Sequence, residues 1–121
     1  MLKRKSKIFL VNAFLFSCFL AFAQSNFKGV KLSSSVNSEC DEICPLLSPD
    51  GKTLYFVRAF CPENIGGKQS GQDIWFSEKK ENGEWSIAKN IGSPLNNVFD
   101  NSVGGIGSKG DILMLSNIYS D

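Results

Sequence analysis

Two short segments of this chain are apolar on both faces, and they constrain the fold more than any other feature. Residues 53–57 (Thr-Leu-Tyr-Phe-Val) and 73–77 (Asp-Ile-Trp-Phe-Ser) are rich in the β-branched and aromatic types that suit a pleated surface. Successive side chains of a strand point to opposite faces. Leu54 and Phe56 therefore oppose Tyr55 and Val57, and Ile74 and Phe76 oppose Trp75. A sheet with one wet face alternates apolar with polar residues, and these segments do not. Both faces need cover, which a single layer of four strands cannot supply for itself.

The flanking sequence organises these segments into a meander. Residues 43–47 form a strand that stops at Ser48-Pro49-Asp50-Gly51, a turn sequence whose proline presets φ and whose glycine accepts positive φ. Residues 53–57 follow at once, giving a β-hairpin. After the third strand at 73–77, Asn82-Gly83 marks a second turn, and residues 85–88 begin a fourth strand. No stretch after residue 24 keeps a helical apolar period for three turns. The expectation is an all-β chain with a four-stranded antiparallel sheet.

The chain also repeats itself. An offset of 59 residues aligns Cys40-Asp41 with Phe99-Asp100, Leu47 with Ile106, Gly51 with Gly110 and Leu54 with Leu113. Cys44 then falls on Val103, Tyr55 on Met114 and Phe56 on Leu115. Residues 103–115 thus read as a degenerate copy of the strand–turn–strand unit, with Ser108-Lys109-Gly110-Asp111 as its turn.

The N-terminus reads as an address. Lys3, Arg4, Lys5 and Lys7 precede an apolar run over residues 8–22 that closes on Ala21-Phe22-Ala23, the pattern of a secretory signal peptide cut between Ala23 and Gln24. The run is shorter than the roughly 20 residues that span a bilayer. A lipoprotein reading with Cys18 as the acylated residue fits less well, because bulky Phe16 precedes it. Cleavage removes four basic residues and no acidic one, so the net charge of +1 becomes −3. No membrane span is expected after signal removal, and a nucleic-acid partner is excluded on charge. An exported chain, in the periplasm or associated with the outer membrane, is the expected product.

In that oxidising setting Cys40, Cys44 and Cys61 permit at most one internal bridge. Cys40 or Cys44 to Cys61 and three free thiols all remain open. A zinc site fits poorly, because the spacing matches no finger and the chain has no histidine.

No catalytic, cofactor or metal site is expected. The absence of histidine removes Ser-His and Cys-His nucleophile activation. The glycine-rich run 104–110 lacks the phosphate-loop order and precedes a strand-like segment. Asp41, Glu42 and Asp50 do not follow the spacing of a calcium loop. Trp75 and Trp85 suit a sheet core better than a sugar-binding platform.

Ser48-Pro49-Asp50-Gly51-Lys52-Thr53-Leu54-Tyr55-Phe56 resembles the signature of the TolB-type, WD-like β-propeller repeat. With Asp41-Glu42-Ile43, Gly71-Gln72-Asp73-Ile74-Trp75, Gly83-Glu84-Trp85-Ser86 and Gly92-Ser93-Pro94-Leu95-Asn96-Asn97, the run over about residues 36–119 is similar to the exported propeller–OmpA proteins of Bacteroidota. The resemblance implies a four-stranded blade and the start of a second, an incomplete propeller. Its segments are a signal peptide at 1–23, a polar lead-in at 24–38, a first blade at 39–97 and a truncated second blade at 98–121. It implies a non-catalytic scaffold or protein-interaction module of the cell envelope, joined to peptidoglycan-associated assemblies through a domain this sequence does not contain. The N-terminal propeller portion of an exported enzyme, such as a propeller-fused peptidase, is the alternative. In such a blade the long connections 59–72 and 91–100 share one end. Partner contacts are expected there, from Glu63, Asn64, Lys68, Gln69, Asn96 and Asn97.

Overall fold

The computed structural model describes residues 28–118, so the signal segment and the cleavage position at Ala23-Gln24 lie outside the described residues. The chain is all-β. Strands β1 (Asp41–Leu47), β2 (Thr53–Ala59), β3 (Gln72–Glu78) and β4 (Lys89–Asn90) form one antiparallel sheet in sequence order. Strands β5 (Asn101–Ile106) and β6 (Leu113–Asn117) form a second, two-stranded sheet. A single 3₁₀ turn, Gly67–Ser70, interrupts the connection from β2 to β3. Among the described residues, no helix is long and apolar enough to cross a membrane.

The fourth strand departs from expectation. Trp85 makes only an isolated bridge to Lys79, and the ladder with β3 forms at Lys89 and Asn90 instead of over 85–88. Serine side chains account for the difference. Ser77 Oγ donates to the Ser86 carbonyl at 2.6 Å, and the Glu78 N–H donates to Ser86 Oγ at 3.0 Å. Ala88 N–H turns away from β3 altogether and donates to the Ser35 carbonyl at 2.8 Å.

That last bond closes one face of the sheet. Leu54, Phe56 and Trp75 are buried with Ala88 and with Val36, which the N-terminal segment lays over them, and Trp85 packs against the cluster. The opposite face carries Val57 and Ile74, both fully buried against Val103 of β5, with Tyr55, Leu46, Leu113 and Leu115 around them. The two clusters are the two faces read from the alternation of β2 and β3. Each fully buried side chain of this size stabilises the fold by about 1.5–3 kcal/mol.

Arg58 belongs to the first face and joins three parts of the chain. Its guanidinium lies 4.2 Å from the centroid of the Trp75 ring and 5.5 Å from that of Phe56. Nε donates to Glu42 Oε1 at 3.0 Å, and Nη2 donates to the Val36 carbonyl at 2.8 Å. A cation this deeply placed is tolerated because it is paired, hydrogen-bonded and stacked on aromatic faces.

The 59-residue offset is present in the backbone as well as in the sequence. The pairs Glu42–Arg58, Ile43–Val57, Leu46–Tyr55 and Leu47–Leu54 recur as Asn101–Asn117, Ser102–Ser116, Gly105–Met114 and Ile106–Leu113. The ladder is irregular between Ile43 and Leu46 in the first hairpin and between Val103 and Gly105 in the second. The turns match too. Gly51 N–H donates to the Ser48 carbonyl as Gly110 N–H does to that of Gly107, and both glycines hold positive φ. At Ser48-Pro49-Asp50-Gly51 the side chains add support: Ser48 Oγ donates to Asp50 Oδ1 at 2.6 Å, and the Lys52 N–H donates to the same oxygen. The Ser48 hydroxyl, and then the Lys52 amide, hold the Asp50 carboxyl below its usual range.

The match extends ahead of the strands. Asn37 N–H donates to the Ser33 carbonyl, and Asn96 N–H to that of Gly92. Ser38 N–H donates to the Glu42 side chain, and Asn97 N–H to that of Asn101. Arg58 reaches the Val36 carbonyl, and Asn117 Nδ2 reaches that of Leu95. Residues 33–40 therefore share the hydrogen-bond pattern of 92–99, the connector between the sheets, although Ser93-Pro94 is cis and Gly92 holds positive φ only in the latter.

Arg58→Ala leaves Glu42 half-buried without its cation and uncovers Trp75. The expected loss is about 3 kcal/mol, read from urea denaturation by tryptophan fluorescence. A change within about 0.5 kcal/mol would mean that Arg58 is a solvated surface residue.

Candidate binding cleft at the loop end of the sheets

The two ends of the first sheet differ in kind. At one end sit the tight turns, held together where the Lys79 N–H donates to the Lys52 carbonyl at 2.7 Å. At the other end the long connections 59–72 and 91–100 meet the start of β1.

The first connection is fixed from within. A disulfide joins Cys40, just before β1, to Cys61, just after β2, 21 positions apart in the sequence. Closing a loop of that length restricts the unfolded chain, a stabilisation of about 3 kcal/mol. Cys44 is the thiol left over, exposed on β1 at the hairpin's irregularity. Inside the loop, Trp75 Nε1 donates to Asn64 Oδ1 at 3.0 Å, and Asn64 Nδ2 donates to the carbonyls of Arg58 and Gly71. Fully buried Asp73 accepts from the Ile65 N–H and from Asn90 Nδ2 through Oδ2, each at 2.6 Å. Its Oδ1 has no partner among the described residues.

The second connection is fixed by asparagines. Asn96 brackets the backbone of Ile74, accepting from its N–H at 2.9 Å and donating to its carbonyl at 2.8 Å. Asn97 Oδ1 accepts from the Phe99 N–H and from Asn101 Nδ2, while Asn97 Nδ2 donates to the Ile118 carbonyl. The two connections touch at Gly71, where a side chain would begin 1.8 Å from Asp100 Oδ1.

Between them lies an open cleft of about 880 Å³. Phe60, Val98, Phe99 and Ile118 give it exposed apolar walls, and Asp41 and Asp100 bring carboxylates from equivalent positions of the two repeats. Phe60 is 60% exposed and held at a φ of 54°. Positive φ is uncommon for a bulky residue and is found where the surroundings over-determine the backbone. Here the Phe60 N–H donates to the Gly71 carbonyl at 2.6 Å, next to the disulfide.

The loop residues expected from sequence divide into groups. Gln69 lines the cleft. Glu63 and Lys68 are exposed on the same connection but are not among its lining residues. Asn64 and Asn96 are buried and commit their amides to the backbone, and Asn97 does the same while half-buried. None of the aromatic and acidic lining residues, Phe60, Phe99, Asp41 and Asp100, is expected from sequence as a contact residue, although Asp41, Phe99 and Asp100 figure in the 59-residue offset. The lining's readable signal is the apolar pair Val98-Phe99 directly after Asn96-Asn97 and before Asp100.

Glu63 Oε2 lies 3.0 Å from Cys61 Sγ, and Cys40, Cys61 and Glu63 could converge on a metal ion. With both sulfurs in the disulfide, that trio offers no thiolate.

Gly71→Ala tests how tightly the two connections are joined. The methyl group meets the Asp100 carboxylate, and φ of +82° disfavours any side chain. A loss of about 2 kcal/mol in urea denaturation is expected, with shifts of the Phe60 and Asp100 resonances in NMR spectra. A stability equal to the parent would mean that the connections are not in contact.

The chain matches no family model, no curated protein and no solved structure.

Proposed function

We propose that the two sheets are successive blades of a β-propeller, and that the protein is a non-catalytic binding module exported to the cell envelope. It contacts protein partners through the cleft between the 59–72 and 91–100 connections. The blade reading is supported by the recurrence of register, turns and side-chain hydrogen bonds at 59 residues, and by the packing of β5 against the face formed by Val57 and Ile74. Export is supported by the signal-like N-terminus and by a disulfide, which persists in oxidising compartments. The setting implied by the TolB-like resemblance is an outer-membrane or peptidoglycan-associated assembly.

The binding reading rests on one observation: apolar side chains are held exposed around a cavity by a well-tethered loop. Phe60 and Phe99 stand in solvent although the surrounding backbone is pinned by a disulfide and by buried amides. Exposed apolar residues grouped around a cavity mark interaction sites more often than scattered ones do.

Placing a photo-crosslinking residue at Phe60 in the exported protein should give discrete crosslinked species from envelope fractions. The same residue at Asn82, in the tight turn at the opposite end, should give none. Equal crosslinking from both positions, or retention of an N-terminus ahead of Gln24, would contradict the reading.

A further inference from the structure

We propose that the cleft takes cationic groups on apolar stems, namely the lysine or arginine side chains of an extended peptide segment. This deepens the binding reading given above and rests on it.

The charge of the lining carries the argument. Asp41, Glu42 and Asp100 contribute carboxylates, and among the described residues no lysine or arginine lines the cavity. Glu42 is neutralised by Arg58, which sits behind it on the aromatic cluster. Asp41 and Asp100 are exposed and form no ion pair with a described residue. Their backbone positions are fixed: Asp41 is held in the ladder opposite Ala59 and beside the disulfide, and the Asp100 side chain lies against Gly71. Two carboxylates projected from such positions into a cavity with no described cation leave an acidic site to be complemented from outside.

The walls say what kind of cation suits it. Phe60 and Phe99 offer ring faces, and Ile43 and Val98 offer aliphatic surface beside the carboxylates. A lysine or arginine buries its methylene stem along apolar surface while its head group meets carboxylates or ring faces. A small inorganic cation would leave those walls wet. A neutral sugar would leave the carboxylates without a partner of opposite charge.

The test is titration of the ¹⁵N-labelled full exported chain, followed by NMR. The probes are the peptide acetyl-Lys-Phe-Lys-amide, its analogue with both lysines acetylated, and a neutral chitooligosaccharide. The lysine peptide should shift resonances of Phe60, Gln69, Gln72, Phe99 and Asp100. It should bind about tenfold more tightly than the acetylated analogue, and less tightly as salt rises. Asp41→Asn combined with Asp100→Asn should lose about tenfold in affinity for the lysine peptide and leave the acetylated one unchanged, with an otherwise parental spectrum. Equal binding of both peptides, or tighter binding of the sugar at the same residues, would overturn the cationic class while keeping the cleft as a binding site. Shifts at none of these residues with any probe would overturn both readings.

Discussion

Everything in this structure follows from a pair of strands that cannot show either face to water. Strands β2 and β3 carry Leu54, Phe56 and Trp75 on one side and Val57 and Ile74 on the other, and all are buried. Burial of this kind requires a layer on each face. The chain supplies one layer from segments beside the sheet, Val36 and residues 85–88, and the other from β5 and β6. Each layer is then anchored by polar groups rather than by apolar area alone. Arg58 ties Val36 to the aromatic cluster, and Asn96 ties the path toward β5 to the backbone of Ile74.

The repeat shows one geometry held by two chemistries. In the first hairpin Glu42 and Arg58 face each other across the ladder, and the pair reaches Ser38 and Val36. At the matching positions Asn101 and Asn117 face each other, and reach Asn97 and Leu95. The charged pair is stacked on Trp75 and Phe56, where the guanidinium gains from the ring faces. The amide version has the same reach toward the preceding carbonyl without a buried charge to neutralise. Sequence identity across the repeat is low because hydrogen-bond reach, rather than residue type, is what recurs.

This explains what could be read in advance. The alternation of residues 53–57 and 73–77, the Pro-Asp-Gly and Asn-Gly turns, and the 59-residue offset are local patterns, and each corresponds to an element in place. The fourth strand was misplaced because Ser77 and Ser86 exchange side-chain hydrogen bonds where a ladder was expected, and nothing in residue type announces that. Asn64 and Asn96 look like surface loop residues in sequence, yet they are buried, since a short amide side chain can stand in for a strand partner. Ser33-Ser34-Ser35-Val36 reads as a polar lead-in, and its single apolar residue turns out to cap a core. The cleft was legible only as a pair of loops meeting at one end. Its lining depends on tertiary placement of Phe60 and Asp100, which spacing does not reveal.

The claim that β2 and β3 are covered on both faces is tested most directly by truncating one covering residue on each side. Val36→Ala and Val103→Ala, followed by urea denaturation of each variant, isolate the two layers. Each should lower the unfolding free energy by about 1–3 kcal/mol, because each valine is buried against a separate cluster. A neutral Val36→Ala beside a destabilising Val103→Ala would mean that the aromatic face is open to water, and would contradict the account.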